Sequence, residues 1–389
     1  MEKPLQCATN ESSGHVHRNR RSPSTKCAIA DRGHAKKKFL AGFTVLGVVC
    51  TAALFKLGGG RWLAAATLYA CGIIGYMAAN IFYDALLVSV AQPREYDRVS
   101  SLGYGLGYLG GGGLFAFCVA MTIWPHTFGF QHAADVVRWS FLLAAIWWSL
   151  FTLPLLFRVT EVRATSTSDG ILHVAQAGWR QFVQTFKEIR RLRVIGGFLL
   201  AYWLYIDGVN TVMRMAVNYA MSLGFSSQQL VAALLLTQLI GVPAAIGFGY
   251  LGERIGTRTA IMLGIAVYAA ATIWASLMHS TWEFYAIAAV IGLVQGGVQS
   301  LSRALYARLI PKDKSGEFFG FYNMLGKFAA VIGPMLIGLT AVMFHDQRVS
   351  ILSILILFIL GGWILLRQPL HDVGANWSDR EVRKHRFDA

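Results

Sequence analysis

The sequence predicts an all-α integral membrane protein, a helical bundle of about ten spans with cytoplasmic N- and C-termini. Three observations predict it. Of 389 residues, 55% are hydrophobic and only 14% charged, where a soluble domain carries about 25% charged residues. The apolar residues fall into runs of bilayer length, and the mean hydropathy is +0.49. The basic residues, finally, are almost all on one side of those runs.

Taken in order, residues 1–38 are polar and basic without an apolar core, so they read as a cytoplasmic segment rather than a cleavable leader. Apolar runs follow at 39–57, 62–90, 101–124 and 138–157. A polar stretch at 160–193 then interrupts the pattern. Within it Ala175, Trp179, Phe182, Phe186 and Ile189 keep helical spacing beside Arg180, Lys187, Arg190 and Arg191, which predicts a helix lying on the cytoplasmic leaflet or a solvated linker helix. Six further runs occupy 194–221, 229–251, 259–278, 283–309, 317–343 and 350–366, and a tail at 368–389 closes the chain.

The net charge of +15 raises nucleic-acid binding as a function class, and its placement argues against it. Lys56, Arg61, Arg138 and Arg348 fall on one side of the spans, and Arg214 and Lys327 fall within them. The rest of the 35 Lys and Arg, including Arg303 and Arg308 in an interval taken as 303–315, fall on the other. The excess is a positive-inside signal, which makes the lipid bilayer the partner and not nucleic acid. The five cysteines are scattered without metal-ligand spacing. "GHVH" at 14–17 is a weak metal motif in a polar tail, and no cofactor is expected. "GLGYLG" at 105–110 satisfies a dinucleotide fingerprint but lacks the preceding strand that fingerprint needs. Gly103, Gly107 and Gly111, like Gly316 and Gly320, are spaced to let helix backbones approach.

Two motifs recur. "AIADRGHAKKK" at 28–38 pairs with "GYLGERIGTR" at 249–258, and "PREYDRVSSLGYGLGYLGG" at 93–111 pairs with the Pro-led, Gly-rich stretch beginning "PKDKSGEFFGFYNMLGK" at 311. The chain is therefore an internal duplication. Residues 39–159 form a first half of four spans and 194–367 a second half of six; the first two helices expected by symmetry are not read in the first half.

Six-plus-six symmetry and the acidic-Arg-Gly loops resemble the major facilitator superfamily. "NIFYDALLVSVAQPREYDRVSSLGYGLGYLGGGGL" and "FLLAYWLYIDGVNTVMRMAVNYA" resemble, more closely, its branch of autophagy-related vacuolar effluxers and bacterial permeases. That resemblance implies a secondary active transporter working by alternating access, with amino-acid efflux the activity of the fungal members. A bacterial cytoplasmic (inner) membrane is the expected location. The alternative is a truncated remnant that does not transport, or a membrane scaffold. An enzyme is not expected, because no nucleophile, base or metal cluster lies in the spans.

Charged residues within spans are costly and mark pathways. Asp207, Asn210, Thr211, Arg214 and Asn218 lie at i, i+3, i+4, i+7 and i+11, one stripe of a helix. In one reading Arg214 meets a carboxylate, Asn210 and Thr211 bond the solute, and Asp207 titrates or pairs with an amine. In the other, Asp207 caps or braces a neighbouring helix and Arg214 snorkels. Asn80 with Asp84, Gln295 with Gln299, and Asn323 with Lys327 are i, i+4 pairs and complete the expected binding set. Asp84 is the residue expected to couple a proton, or else to pair statically with Lys327 or Arg214. Asp31, Arg32, Glu253 and Arg254 are expected to gate the cytoplasmic side.

Overall fold

The computed structural model describes residues 36–58, 60–131, 133–159 and 192–369, and these are helical with turns between. Asp31 and Arg32, the central segment 160–191 with its expected surface helix, and the tail from 370 lie outside the described residues. The first four helices are α1 (Lys36–Leu54), α2 (Trp62–Val90), α3 (Tyr96–Ile123) and α4 (Ala133–Arg158). The second series is α5 (Arg193–Ser222), α6 (Ser227–Ile255), α7 (Thr257–Leu277), α8 (Thr281–Leu309), α9 (Ser315–Phe328), α10 (Ile332–Phe344), α11 (Gln347–Leu352) and α12 (Leu355–Arg367).

Among the described residues nine segments are long and apolar enough to cross a membrane, two of them broken: Ser315–Phe344 spans α9 and α10, and Arg348–Arg367 spans most of α11 and α12. Helix α5, 30 residues long, is the tenth expected span and stands outside that set because its polar stripe displaces apolar residues. Side chains such as Trp62, Leu106, Phe157, Leu239 and Val342 are exposed on the outside of the bundle, as lipid-facing residues are.

Helices α1 and α2 form an antiparallel pair whose backbones touch. A Cβ at Gly75 would stand 2.6 Å from the Gly47 nitrogen, so only glycine permits that approach. Helix α3 packs along α6 and α8, which joins the first series to the second. The close approach falls on Gly105, whose Cβ would meet Ile246 at 2.8 Å and the Val242 carbonyl at 3.2 Å. This corrects the expected glycine stripe: Gly107, Gly111 and Gly320 have nothing within 4 Å, because they lie on faces turned away from the packed one. The second series holds the largest core, with Tyr202, Tyr306 and Tyr322 stacked at centroid distances of 4.2 Å (Tyr202 to Tyr322) and 5.0 Å (Tyr306 to Tyr322).

Candidate functional site

A cavity of about 590 Å³ lies between the two series of helices, with walls from α2, α3, α5, α6, α8 and α9. The volume is within the usual range for small-molecule sites, about 300 to 1,000 Å³. The structure brings Asn80, Asp84, Asn210, Arg214, Gln295, Gln299, Asn323 and Lys327 together in this wall, eight residues that the sequence scatters over four helices. Asn80 and Asp84 come from α2, Asn210 and Arg214 from α5, Gln295 and Gln299 from α8, and Asn323 and Lys327 from α9.

Asp207 and Thr211 do not line it, which corrects their expected role in solute binding. Asp207 is fully buried. Its Oδ2 accepts from the Ile332 nitrogen at 3.0 Å, and its Oδ1 from the Gly333 nitrogen at 3.2 Å and the Thr211 hydroxyl at 3.2 Å. A helix N-terminus leaves backbone donors without intrahelical partners, and that of α10 falls inside the bundle where water is scarce. The carboxylate of α5 supplies the missing acceptors and the negative charge that the helix dipole favours there. Thr211 is held in the same knot, packed so tightly on Gly333 that a Cβ there has no room. The bracing alternative is the one this geometry matches.

Asp84 is the carboxylate of the cavity wall, and its partner is Arg303 rather than Lys327 or Arg214. Arg303 Nη1 donates to Asp84 Oδ1 at 3.0 Å, and Asn323 Nδ2 donates to Asp84 Oδ2 at 2.9 Å. The guanidinium also donates to the Ser100 hydroxyl at 2.9 Å and the Ser100 carbonyl at 3.1 Å. It lies over the rings of Tyr83 and Tyr104, 5.4 and 5.0 Å from their centroids, where the aromatic faces add attraction. With Arg303 only 3% exposed, every compensation is needed, since a buried ion pair breaks even only when its remaining donors are also satisfied. The positive-inside count takes Arg303 as cytoplasmic, although the apolar run at 283–309 contains it; helix α8 reaches Leu309 and carries Arg303 inside. The signal was available: Gln295, Gln299 and Arg303 are spaced i, i+4, i+8 on one face.

Arg214 and Lys327 are the cations that remain. Both face the cavity, and the Lys327 ammonium sits 5.6 Å from the centroid of the Tyr76 ring. Asn210 is anchored by a 3.3 Å bond from its Nδ2 to the Gly326 carbonyl, one residue from Lys327. Sequence reasoning missed Gln238, which lies in an apolar run without a polar companion at helical spacing, and the tyrosines Tyr76, Tyr83, Tyr104, Tyr108, Tyr202 and Tyr322. A tyrosine in a membrane span reads equally well as an interface anchor or core residue, so nothing local marks it as cavity wall.

Polar contacts join the two series near the C-terminal end of α8. Arg308 Nη1 donates to Asp97 Oδ1 at 2.7 Å and Thr257 Oγ1 donates to Asp97 Oδ2 at 2.6 Å, while Arg308 Nε reaches the Pro93 carbonyl at 3.0 Å. The Ser100 hydroxyl donates to the Ser300 carbonyl at 2.7 Å, and the Lys36 ammonium donates to the Ser315 hydroxyl at 2.7 Å. All of these lie at the end that the basic residues assign to the cytoplasm. Glu253 and Arg254, expected as gate residues, are exposed at the end of α6. The polar contacts at this end instead use Asp97, Arg308 and Thr257.

The sequence pattern of the vacuole effluxer Atg22-like family matches residues 25–95 and 89–372. The uncharacterized MFS-type transporter YxiO of Bacillus subtilis (strain 168) is 36% identical over 342 residues, which cover 88% of this chain and 79% of that protein. Autophagy-related protein 22 of Yarrowia lipolytica is 26% identical over 295 residues, 67% of this chain and 48% of that protein, so the chain spans about half the length of such fungal relatives. Among solved structures, the major facilitator superfamily transporter FucP in its outward conformation superimposes with a TM-score of 0.65 at 11% identity, over 88% of this chain and 85% of that one. The human organic anion transporter MFSD10 gives 0.60 at 16% identity, over 88% and 82%; both likenesses speak to the fold. The helical bundle with its central polar cavity, the matched pattern and the Bacillus relative together place this chain in the vacuole effluxer Atg22-like family, a branch of the major facilitator superfamily, whose members are multi-pass membrane transporters and not enzymes.

Proposed function

We propose that this secondary transporter moves a small polar solute bearing a carboxylate, amino acids among the candidates, and that the cavity between α5, α8 and α9 is its central binding site. The observation that carries this reading is the pair of cations, Arg214 and Lys327, facing one cavity whose other polar groups, the Asp84 and Arg303 pair apart, are neutral amides and tyrosines. A carboxylate offers the cations a charge partner, and the amides of Asn80, Asn210, Gln238, Gln295, Gln299 and Asn323 offer hydrogen bonds of both senses to the rest of the solute. The walls come from both series of helices, which is what alternating access requires: a solute held by both can be exposed to either side as they rock.

We propose separately that transport couples to protons through Asp84. Protonation would remove its charge from Arg303 of α8 and change its bond to Asn323 of α9, loosening the first series from the second at mid-bundle. Tyr83 of its own helix, Tyr104 of α3 and Lys327 of α9 also face this pair. The latch at Asp97 and Arg308 supports an outward-open state in a bacterial cytoplasmic membrane, with the cytoplasmic side shut.

The test is counterflow in proteoliposomes, with radiolabelled amino acids and related carboxylates on one side and unlabelled solute on the other. Exchange that Arg214→Gln and Lys327→Gln each reduce at least tenfold is the expected outcome. Exchange unaffected by both substitutions moves the binding site elsewhere. For coupling, Asp84→Asn is expected to abolish the response of uptake to an imposed pH gradient while leaving exchange measurable; an unchanged response removes Asp84 from coupling.

A further inference from the structure

Resting on the transporter reading of the central cavity, we infer that the site is built for solutes with two negative charges, small dicarboxylates, and not for neutral or cationic amino acids. The argument is a charge account of the wall. Its cations are Arg214, Arg303 and Lys327, and its one carboxylate is Asp84. Asp84 is already spoken for on both oxygens, by Arg303 at 3.0 Å and by Asn323 at 2.9 Å. Arg303 also gives two donors to Ser100. That pair is therefore internally neutral, and it leaves two positive charges facing the cavity.

Among the described residues no carboxylate of the cavity wall is ion-paired to either: Asp84 is held by Arg303, and Asp97 beyond the wall by Arg308. Arg214 and Lys327 feel the charges of Asp207 and Asp84 only without such a contact. Asp207, two turns from Arg214 on the same helix, has both oxygens turned to the start of α10 and no exposed surface. Two like charges facing one confined space repel more strongly than in water, and a partner with two carboxylates relieves both at once. A zwitterion brings one carboxylate and an ammonium, and the ammonium finds no free carboxylate here. It finds neutral acceptors only. The amides of the wall can receive an amine or hydroxyl carried by a dicarboxylate, so glutamate fits the account as well as succinate, while leucine and lysine do not.

The geometry assigns the selectivity to charge at Arg214 and Lys327, and conservative substitutions separate charge from shape. The full chain, reconstituted in proteoliposomes, is assayed for counterflow of succinate, glutamate, leucine and lysine. Thermal stabilisation in detergent by each solute is measured in parallel. Succinate and glutamate are expected to exchange at least tenfold faster than leucine or lysine. Arg214→Gln and Lys327→Gln each raise the apparent KM for succinate at least tenfold. Arg214→Lys recovers most of that loss, and a melting temperature near that of the parent shows that each variant is folded. Leucine or lysine exchanging as fast as succinate overturns the charge inference and leaves the transporter reading of the cavity intact; succinate exchange insensitive to both neutral variants overturns the charge inference and moves the binding site elsewhere. Stabilisation by succinate without exchange of any solute overturns the transporter reading and leaves the dianion site standing. Neither stabilisation nor exchange by any of the four overturns both.

Discussion

At the scale of the residue, two of the buried carboxylates, Asp84 and Asp207, are used in different ways. Asp84 neutralises a buried guanidinium at 3.0 Å, so removing its charge strands Arg303. Breaking one partner of such a pair costs about 3 to 5 kcal/mol, whereas replacing both with neutral groups costs far less. Asp84→Asn should accordingly lower the melting temperature in detergent more than the double change with Arg303→Gln does. A double variant no more stable than the single one would show that the pair is solvated. Asp207 works as a cap supplied from a neighbouring helix, accepting from two backbone donors of α10. Asp207→Ala should cost about 1 to 2 kcal/mol, as lost N-caps do, and Asp207→Asn, which keeps an acceptor, less. Equal melting temperatures for the two variants would mean that charge rather than hydrogen bonding does the bracing.

At the scale of the element, the interface between α3 and α6 depends on missing side chains. A Cβ at Gly249 would stand 2.8 Å from the Ser101 Cβ and 3.3 Å from the Asp97 carbonyl, and both belong to the turns that carry the Asp97 contacts. Overpacking of this kind costs about 1 to 3 kcal/mol. Gly249→Val should therefore lower thermal stability and weaken succinate counterflow, while Gly111→Ala, with nothing within 4 Å, should leave the melting temperature within about 0.5 kcal/mol equivalent. Similar melting temperatures for the two would place the helix contact elsewhere. The glycine spacing was legible in the sequence, but not which of the interleaved glycines touch: Gly105 and Gly249 pack while Gly107 and Gly111 do not. Helical periodicity specifies a face, and only the neighbour decides which face is used.

At the scale of the whole molecule, the two series of helices meet through Asp97, Thr257 and Arg308 at one end and through the Asp84 and Arg303 pair deeper in. Asp97 is 2% exposed, so Arg308→Gln leaves its carboxylate short of a partner. Each 1.4 kcal/mol of lost bias is about a tenfold shift in population. Spin labels on Arg94→Cys and Lys312→Cys, in a background with the five native cysteines replaced, should report a longer distance distribution in the Arg308→Gln protein than in its parent. An unchanged distribution would show that the serine contacts at Ser100 and Ser300 hold that end alone. The contacts at this end were only half legible: both loops carry charge in the sequence, while Glu253 and Arg254 stand exposed at the end of α6.

The sequence by itself determined the membrane class, the apolar spans, the family resemblance and eight of the residues around the cavity. Each of these is a matter of composition, periodicity or local pattern, which one strand of sequence carries in full. The tertiary structure decided the partners. That Asp84 answers Arg303 across 219 positions, that Asp207 serves a helix end and not a solute, and that Arg214 and Lys327 are left facing the cavity all depend on which helices lie side by side. A buried charge must be compensated by whatever the fold brings within reach, and reach is not written in spacing along the chain.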